Sequence, residues 1–88
     1  MAITSESIAG AVEEFIRTEF QVSPQDSAFS RNVNLYDLGF VDSTGLVSLI
    51  SFIEFHFNVK IEEKYLFSED FTTINGISQV IHLCMGQA

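Results

Sequence analysis

Leu35-Tyr36-Asp37-Leu38-Gly39-Phe40-Val41-Asp42-Ser43-Thr44-Gly45-Leu46 is the stretch in which a loop becomes a helix. Asp42 is a good N-cap. Its carboxylate can accept the unpaired amide hydrogens of a first helical turn, and the positive end of the helix dipole favours its charge. Downstream, Leu46, Leu49, Ile50, Ile53 and Phe57 recur at helical spacing and predict a helix over 43–57 with one apolar stripe. Asn58 suits the left-handed position that follows a helix C-terminus. Ser43 then falls just inside the helix start, where its hydroxyl stands at the surface as an attachment point.

Upstream, Ile8, Val12, Phe15, Ile16 and Phe20 predict a helix over about 5–20, with Glu6, Glu13, Glu14, Arg17 and Glu19 largely on its other faces. Thr4 or Ser5 can cap it, and Gly10 weakens it locally. From 21 to 42 no long periodic run appears. Ser23-Pro24-Gln25-Asp26-Ser27 reads as a turn cluster. Phe29, Val33, Leu35, Leu38 and Phe40 are expected to pin this connection to the core, with one helical turn around Asn34 to Leu38. After the second helix, Val59-Lys60-Ile61 looks extended, and a short helix or turn falls within 63–71. The last helix starts near Thr72 or Thr73, carries the stripe Ile74, Ile77, Ile81, Cys84 and Met85, and ends near Gly86. Such helices bury their stripes only against one another. The expected fold is an all-α four-helix bundle, three longer helices and one short, in a single domain over 1–88, with a long ordered loop between the first two helices.

Composition narrows the function classes. The chain is 47% hydrophobic and 18% charged, which suits a packed domain rather than a disordered tail. With 12 acidic residues against 4 basic ones, the net charge of −8 disfavours nucleic acid and anionic membrane surfaces and favours partners with basic patches. A single Cys forms no internal disulfide and suits a reducing, cytoplasmic setting. Met1-Ala-Ile-Thr-Ser-Glu lacks the basic region and long apolar run of a signal peptide, and Ser43 to Ile53 is too short and polar to span a bilayer. No membrane insertion is expected.

The pieces Asp37-Leu38-Gly39, Asp42-Ser43, the apolar stripe from Leu46 to Ile53, Phe57-Asn58-Val59-Lys60-Ile61 and Thr72-Thr73-Ile74-Asn75-Gly76-Ile77 stand in a familiar order. Over most of its length the chain resembles the acyl carrier proteins. The resemblance implies an acyl-carrier-like bundle with a 4'-phosphopantetheine arm, taken from coenzyme A, on the Ser43 hydroxyl beside Asp42. An acyl or aminoacyl group would ride on the arm as a thioester. The implied partners are a phosphopantetheinyl transferase, an acyl- or aminoacyl-loading ligase and a downstream acyltransferase or synthase. The carrier would be a monomer and not an enzyme. Two features depart from the common form. Phe40 and Val41 put two residues between Gly39 and Asp42, and Thr44 replaces the usual apolar residue after the serine. The longer spacing is similar to stand-alone aminoacyl carriers, D-alanyl carriers among them, and to discrete carriers of secondary metabolism. An unmodified helical interaction module or a small regulatory subunit is the alternative.

Glu54 is the only acidic residue in the second helix, whereas carriers of fatty-acid synthesis bear several there. A weakly electrostatic docking face is therefore expected at Thr44, Val47, Ser51, Glu54 and Phe55. A second reading puts Val47 and Phe55 partly in the core. Nine Phe in a small core leave limited room for a long alkyl chain, so short or polar cargo is expected.

Other chemistry finds little support. His82 and Cys84 are two apart on a helix and point about 200° from each other, so they do not share a metal. Ser43 and His56 are roughly 20 Å apart by helix rise, which excludes a catalytic pair. Glu62-Glu63 and Glu69-Asp70 read as solvated surface charge. No catalytic residue and no metal site is expected.

Overall fold

The computed structural model describes residues 4–86; residues 1–3, part of the stretch read above for the absence of a leader, lie outside them. The described residues are all-helical: α1 (Ser5–Glu19), α2 (Ser43–Phe57), α3 (Glu63–Leu66), a 3₁₀ turn (Glu69–Thr72) and α4 (Ile74–Met85). The radius of gyration is 12.2 Å, close to the roughly 12 Å of a compact chain this long.

Each long helix begins on a side-chain cap. Thr4 caps α1 in a reciprocal box with Ser7: the Ser7 amide donates to the Thr4 hydroxyl and the Thr4 amide to the Ser7 hydroxyl, both at 3.1 Å. Asp42 caps α2 and Thr73 caps α4, each accepting the amide of a glycine three residues on. Helix ends are as local. Gln21, with φ of 54°, turns the chain out of α1 while the Val22 amide reaches back to the Arg17 carbonyl. Asn58, also at φ 54°, ends α2 in the expected left-handed position.

α1 packs most extensively on α4, α2 leans on both, and the 3₁₀ turn lies against the start of α4. Gly76 permits that last approach, since a β-carbon there would overlap the Asp70 carbonyl. The short element expected within 63–71 is two pieces, α3 and the 3₁₀ turn, with exposed Phe67 at the break.

The core is mainly aliphatic, with Phe71 fully enclosed in it. Ile8, Val12, Ile16, Leu35, Leu49, Ile53, Ile74, Ile77 and Ile81 are fully enclosed. Of the phenylalanines only Phe29 and Phe71 are buried. Phe15, Phe20, Phe40, Phe52 and Phe57 are half-buried around the core, and Phe55 and Phe67 are exposed. The expectation of a phenylalanine-filled core is thus corrected. Rings close the seams at the rim, as in the Phe15–Phe52 stack at 4.2 Å, while branched side chains fill the centre.

Among the described residues the connection from α1 to α2 holds turns and no helix. Phe29 and Leu35 pin it as expected, with Val33 and Phe40 half-buried, but Leu38 is 50% exposed. Buried Val41 takes the place expected of Leu38. The helical turn expected at Asn34 to Leu38 is present as a single turn that is not continued into a helix. The Asn34 side chain accepts the Tyr36 and Asp37 amides, and the Leu38 amide reaches the Asn34 carbonyl.

Candidate functional site

Asp42, Ser43 and Thr44 form an exposed corner at the N-terminus of α2. Asp42 adopts extended backbone geometry, its Oδ1 accepts the Gly45 amide at 2.7 Å, and its carbonyl accepts the Leu46 amide at 2.8 Å. The capping role common for a serine at a helix start is therefore filled by the aspartate, one residue earlier. As at any helix start, the first-turn amides of Ser43 and Thr44 have no intrahelical acceptor.

Three anchors fix this corner. From α1, the ring of Phe20 lies against Gly45; a β-carbon there would stand 2.7 Å from the ring Cε1. From the 3₁₀ turn, the Thr72 carbonyl accepts the Leu35 amide at 2.8 Å. Leu35 in turn accepts the Phe40 and Val41 amides, at 2.9 and 3.2 Å, folding the chain back just before Asp42. Gly39, at φ +79°, makes that fold possible. The longer spacing between Gly39 and Asp42 is absorbed here, with Val41 buried and Phe40 edge-on to Phe29 at 5.0 Å.

Further out, Arg31 clasps the connection to α1. Its guanidinium donates to Glu13 at 2.7 Å and to both Glu6 oxygens at 2.8 Å, while Arg17 bonds Glu13 and lies over Phe29. The bond from Arg31 holds the Glu13 carboxyl below its ordinary pKa against the opposing effect of burial. The Arg31 carbonyl accepts the Asn75 amide at 3.0 Å, so one residue ties the connection to both α1 and α4.

Thr44, Val47, Ser51 and Phe55 share one exposed face of α2. Val47 is 64% and Phe55 90% exposed, which corrects the reading that placed them partly in the core. Glu54 is half-buried, and its Oε2 accepts the Ile61 amide at 3.1 Å. Its carboxylate pins the segment after α2, a role that spacing along one helix does not reveal.

Grooves among the described residues lie elsewhere. One, of about 640 Å³, is lined by Lys60, Ile61, Glu62, Glu63, Leu66 and Cys84. Another, of about 290 Å³, runs between α1 and α2 past Phe15, Phe52 and His56. Neither includes Ser43 or a residue of its corner. Burial and the neighbouring Glu62 push the Cys84 thiol above its ordinary pKa, which makes it a poor nucleophile. His56 is exposed and stacks on Phe52 at 5.0 Å, and His82 is exposed. Among the described residues no three His, Cys, Asp or Glu side chains gather to hold a metal, and no helix is long and apolar enough to cross a membrane.

Neither known family models nor curated proteins yield a match to this chain.

Proposed function

We propose that this chain is a carrier of acyl or aminoacyl groups, modified with 4'-phosphopantetheine on Ser43. The observation that carries the reading is the exposed Ser43 inside the first turn of a 15-residue helix, with the cap supplied by Asp42. The serine pattern and the order of elements resemble those of acyl carrier proteins.

The corner fits a phosphodiester. Ser43 and Thr44 are exposed, their first-turn amides are unpaired, and the positive end of α2 favours an anion. Asp42 puts a second negative charge beside it, but Oδ1 is already turned to the Gly45 amide. In the modifying step a phosphopantetheinyl transferase breaks the pyrophosphate linkage of coenzyme A. The Ser43 oxygen gains the phosphorus, loses its proton, and adenosine bisphosphate leaves. The bound arm supplies a terminal thiol on which cargo is held as a thioester. The chain's own residues present that arm and catalyse nothing. The loading ligase and the downstream acyltransferase or synthase meet it at Thr44, Val47, Ser51 and Phe55, a face whose chemistry is apolar and hydroxylic. Cargo on this reading is short or polar; neither groove described above is lined by Ser43 or its neighbours. A reducing cytoplasm suits both the free Cys84 and the arm's thiol.

The test is intact mass after incubation with coenzyme A, magnesium and a broad-specificity transferase. Gain of one phosphopantetheinyl group, abolished in Ser43→Ala, is expected. A chain that several transferases leave unmodified is instead an interaction module, the reading that exposed Val47 and Phe55 favour by themselves.

A further inference from the structure

The segment that delivers the start of α2 is fastened at adjacent residues to one place. The Leu35 amide donates to the Thr72 carbonyl at 2.8 Å, and the Tyr36 hydroxyl donates to the Phe71 carbonyl at 3.2 Å. Both acceptors lie in the 3₁₀ turn, 35 or more residues downstream. The Leu35 carbonyl meanwhile holds the Phe40 and Val41 amides, the two residues before the Asp42 cap. The register of the first turn of α2 is thereby set from the 3₁₀ turn through a short chain of bonds. Tyr36 is half-buried against the core, and burial raises its phenol pKa, so the hydroxyl remains a proton donor over the working range. The Leu35 bond is made by backbone, and Leu35 cannot be changed without opening the core. The Tyr36 bond is a side-chain latch that is removable by one atom.

We propose that Tyr36 is a positioning residue for Ser43: its hydroxyl latches residues 35–42 to the Phe71 carbonyl and so presents the α2 N-terminus in the conformation a modifying enzyme engages. The inference rests on the reading of Ser43 as the attachment site. It predicts a local effect, because the ring of Tyr36 keeps its packing when the oxygen is taken away.

The test compares Tyr36→Phe with the parent chain by amide hydrogen exchange and by steady-state transfer from coenzyme A with a broad-specificity transferase. Amides of Leu38 to Val41 are expected to exchange about three to ten times faster, from the loss of one hydrogen bond, with the amides of α1 and α4 unchanged. The KM for the carrier rises about twofold or more with kcat kept, because fewer molecules hold the engaged conformation. Unchanged exchange, or faster exchange with unchanged KM, overturns the proposal. So does a uniform rise in exchange across all helices, which makes Tyr36 an ordinary stability residue. If exchange rises locally but no transferase modifies even the parent chain, the latch stands as structure, while the carrier reading and the positioning role fall together.

Discussion

The ring of Phe20, at the end of α1, stands 2.7 Å from where a β-carbon of residue 45 would be, and Gly45 leaves it that space. α2 and α4 open alike: Asp42 and Thr73 cap them, and Gly45 and Gly76 each give an amide to the cap side chain three residues before. The two glycines nonetheless face different neighbours. Gly45 meets the far end of a half-buried side chain, whereas Gly76 meets the Asp70 backbone.

Gly45→Ala should therefore change stability by less than about 1 kcal/mol, since displacement of the Phe20 ring is offset by better helix propensity. Gly76→Ala should lose about 2–3 kcal/mol or more, because backbone must move. Urea unfolding of the two variants checks the contrast. Equal losses would show that the Phe20 ring is as immobile as the 3₁₀ turn.

Asp42 and Ser43 are adjacent but separable. Asp42→Ala should cost about 1 kcal/mol by uncapping α2. Ser43→Ala should leave stability within about 0.5 kcal/mol while abolishing modification. Thermal unfolding with intact mass reads both. A Ser43→Ala variant that unfolds readily would make the serine structural.

The Arg31 clasp gives stability a pH dependence of known sign. The folded-state pKa of Glu13 lies below its ordinary value. Its contribution is therefore complete above the unfolded carboxyl pKa and is lost as pH falls through the lowered folded value. Glu13→Gln should cost about 1 kcal/mol near neutrality, a modest figure because the pair is partly solvated. The gap between variant and parent should narrow as pH falls below the ordinary carboxyl pKa and close below the lowered folded value, in urea unfolding from pH 7 into acid. A gap that persists in acid would assign the effect to packing.

Much of this architecture is legible in the order of residues, and the parts that are not share a cause. The bounds of α2 follow from Asp42 and Asn58, which act on backbone one to three residues away, and Thr73 marks α4 in the same way. Arg31 bonds carboxylates 18 and 25 residues away, and Glu54 holds an amide seven residues on. The Arg31 pairings exist only once the connection has folded back on α1, and the Glu54 pairing only once the chain has turned at Asn58. Leu38 is exposed and Val41 buried for a related reason: the bend at Gly39, held by the Leu35 carbonyl, decides which of two apolar residues faces inward. The phenylalanines misled because hydrophobicity says that a ring seeks contact but not whether it finds it at the centre or the rim. At the candidate site, Ser43 exposed, Asp42 as the cap and Leu35 as a pin were legible; the hydrogen bonds of Leu35 and Tyr36 to the 3₁₀ turn and the approach of Phe20 to Gly45 were not.

The exposed face of α2 should recognise partners by shape. Changing Val47 and Phe55 together to Ser should leave stability within about 1 kcal/mol and weaken engagement of the transferase by about 1–2 kcal/mol. The KM of the parent chain should vary by less than about threefold between low and moderate salt, since the one α2 carboxylate is turned to the Ile61 amide. Transfer kinetics across a salt series measure this. A steep salt dependence would put the docking surface on Asp37, Glu62 or other exposed carboxylates instead.

The ties from Arg31 to Asn75, from Leu35 to Thr72 and from Tyr36 to Phe71 also have a meaning in time. During synthesis Ser43 emerges long before the residues that complete its surroundings. A nascent chain halted short of position 75 shows the serine on an unfinished scaffold, so the corner around Ser43 takes its final form only once the last helix has docked.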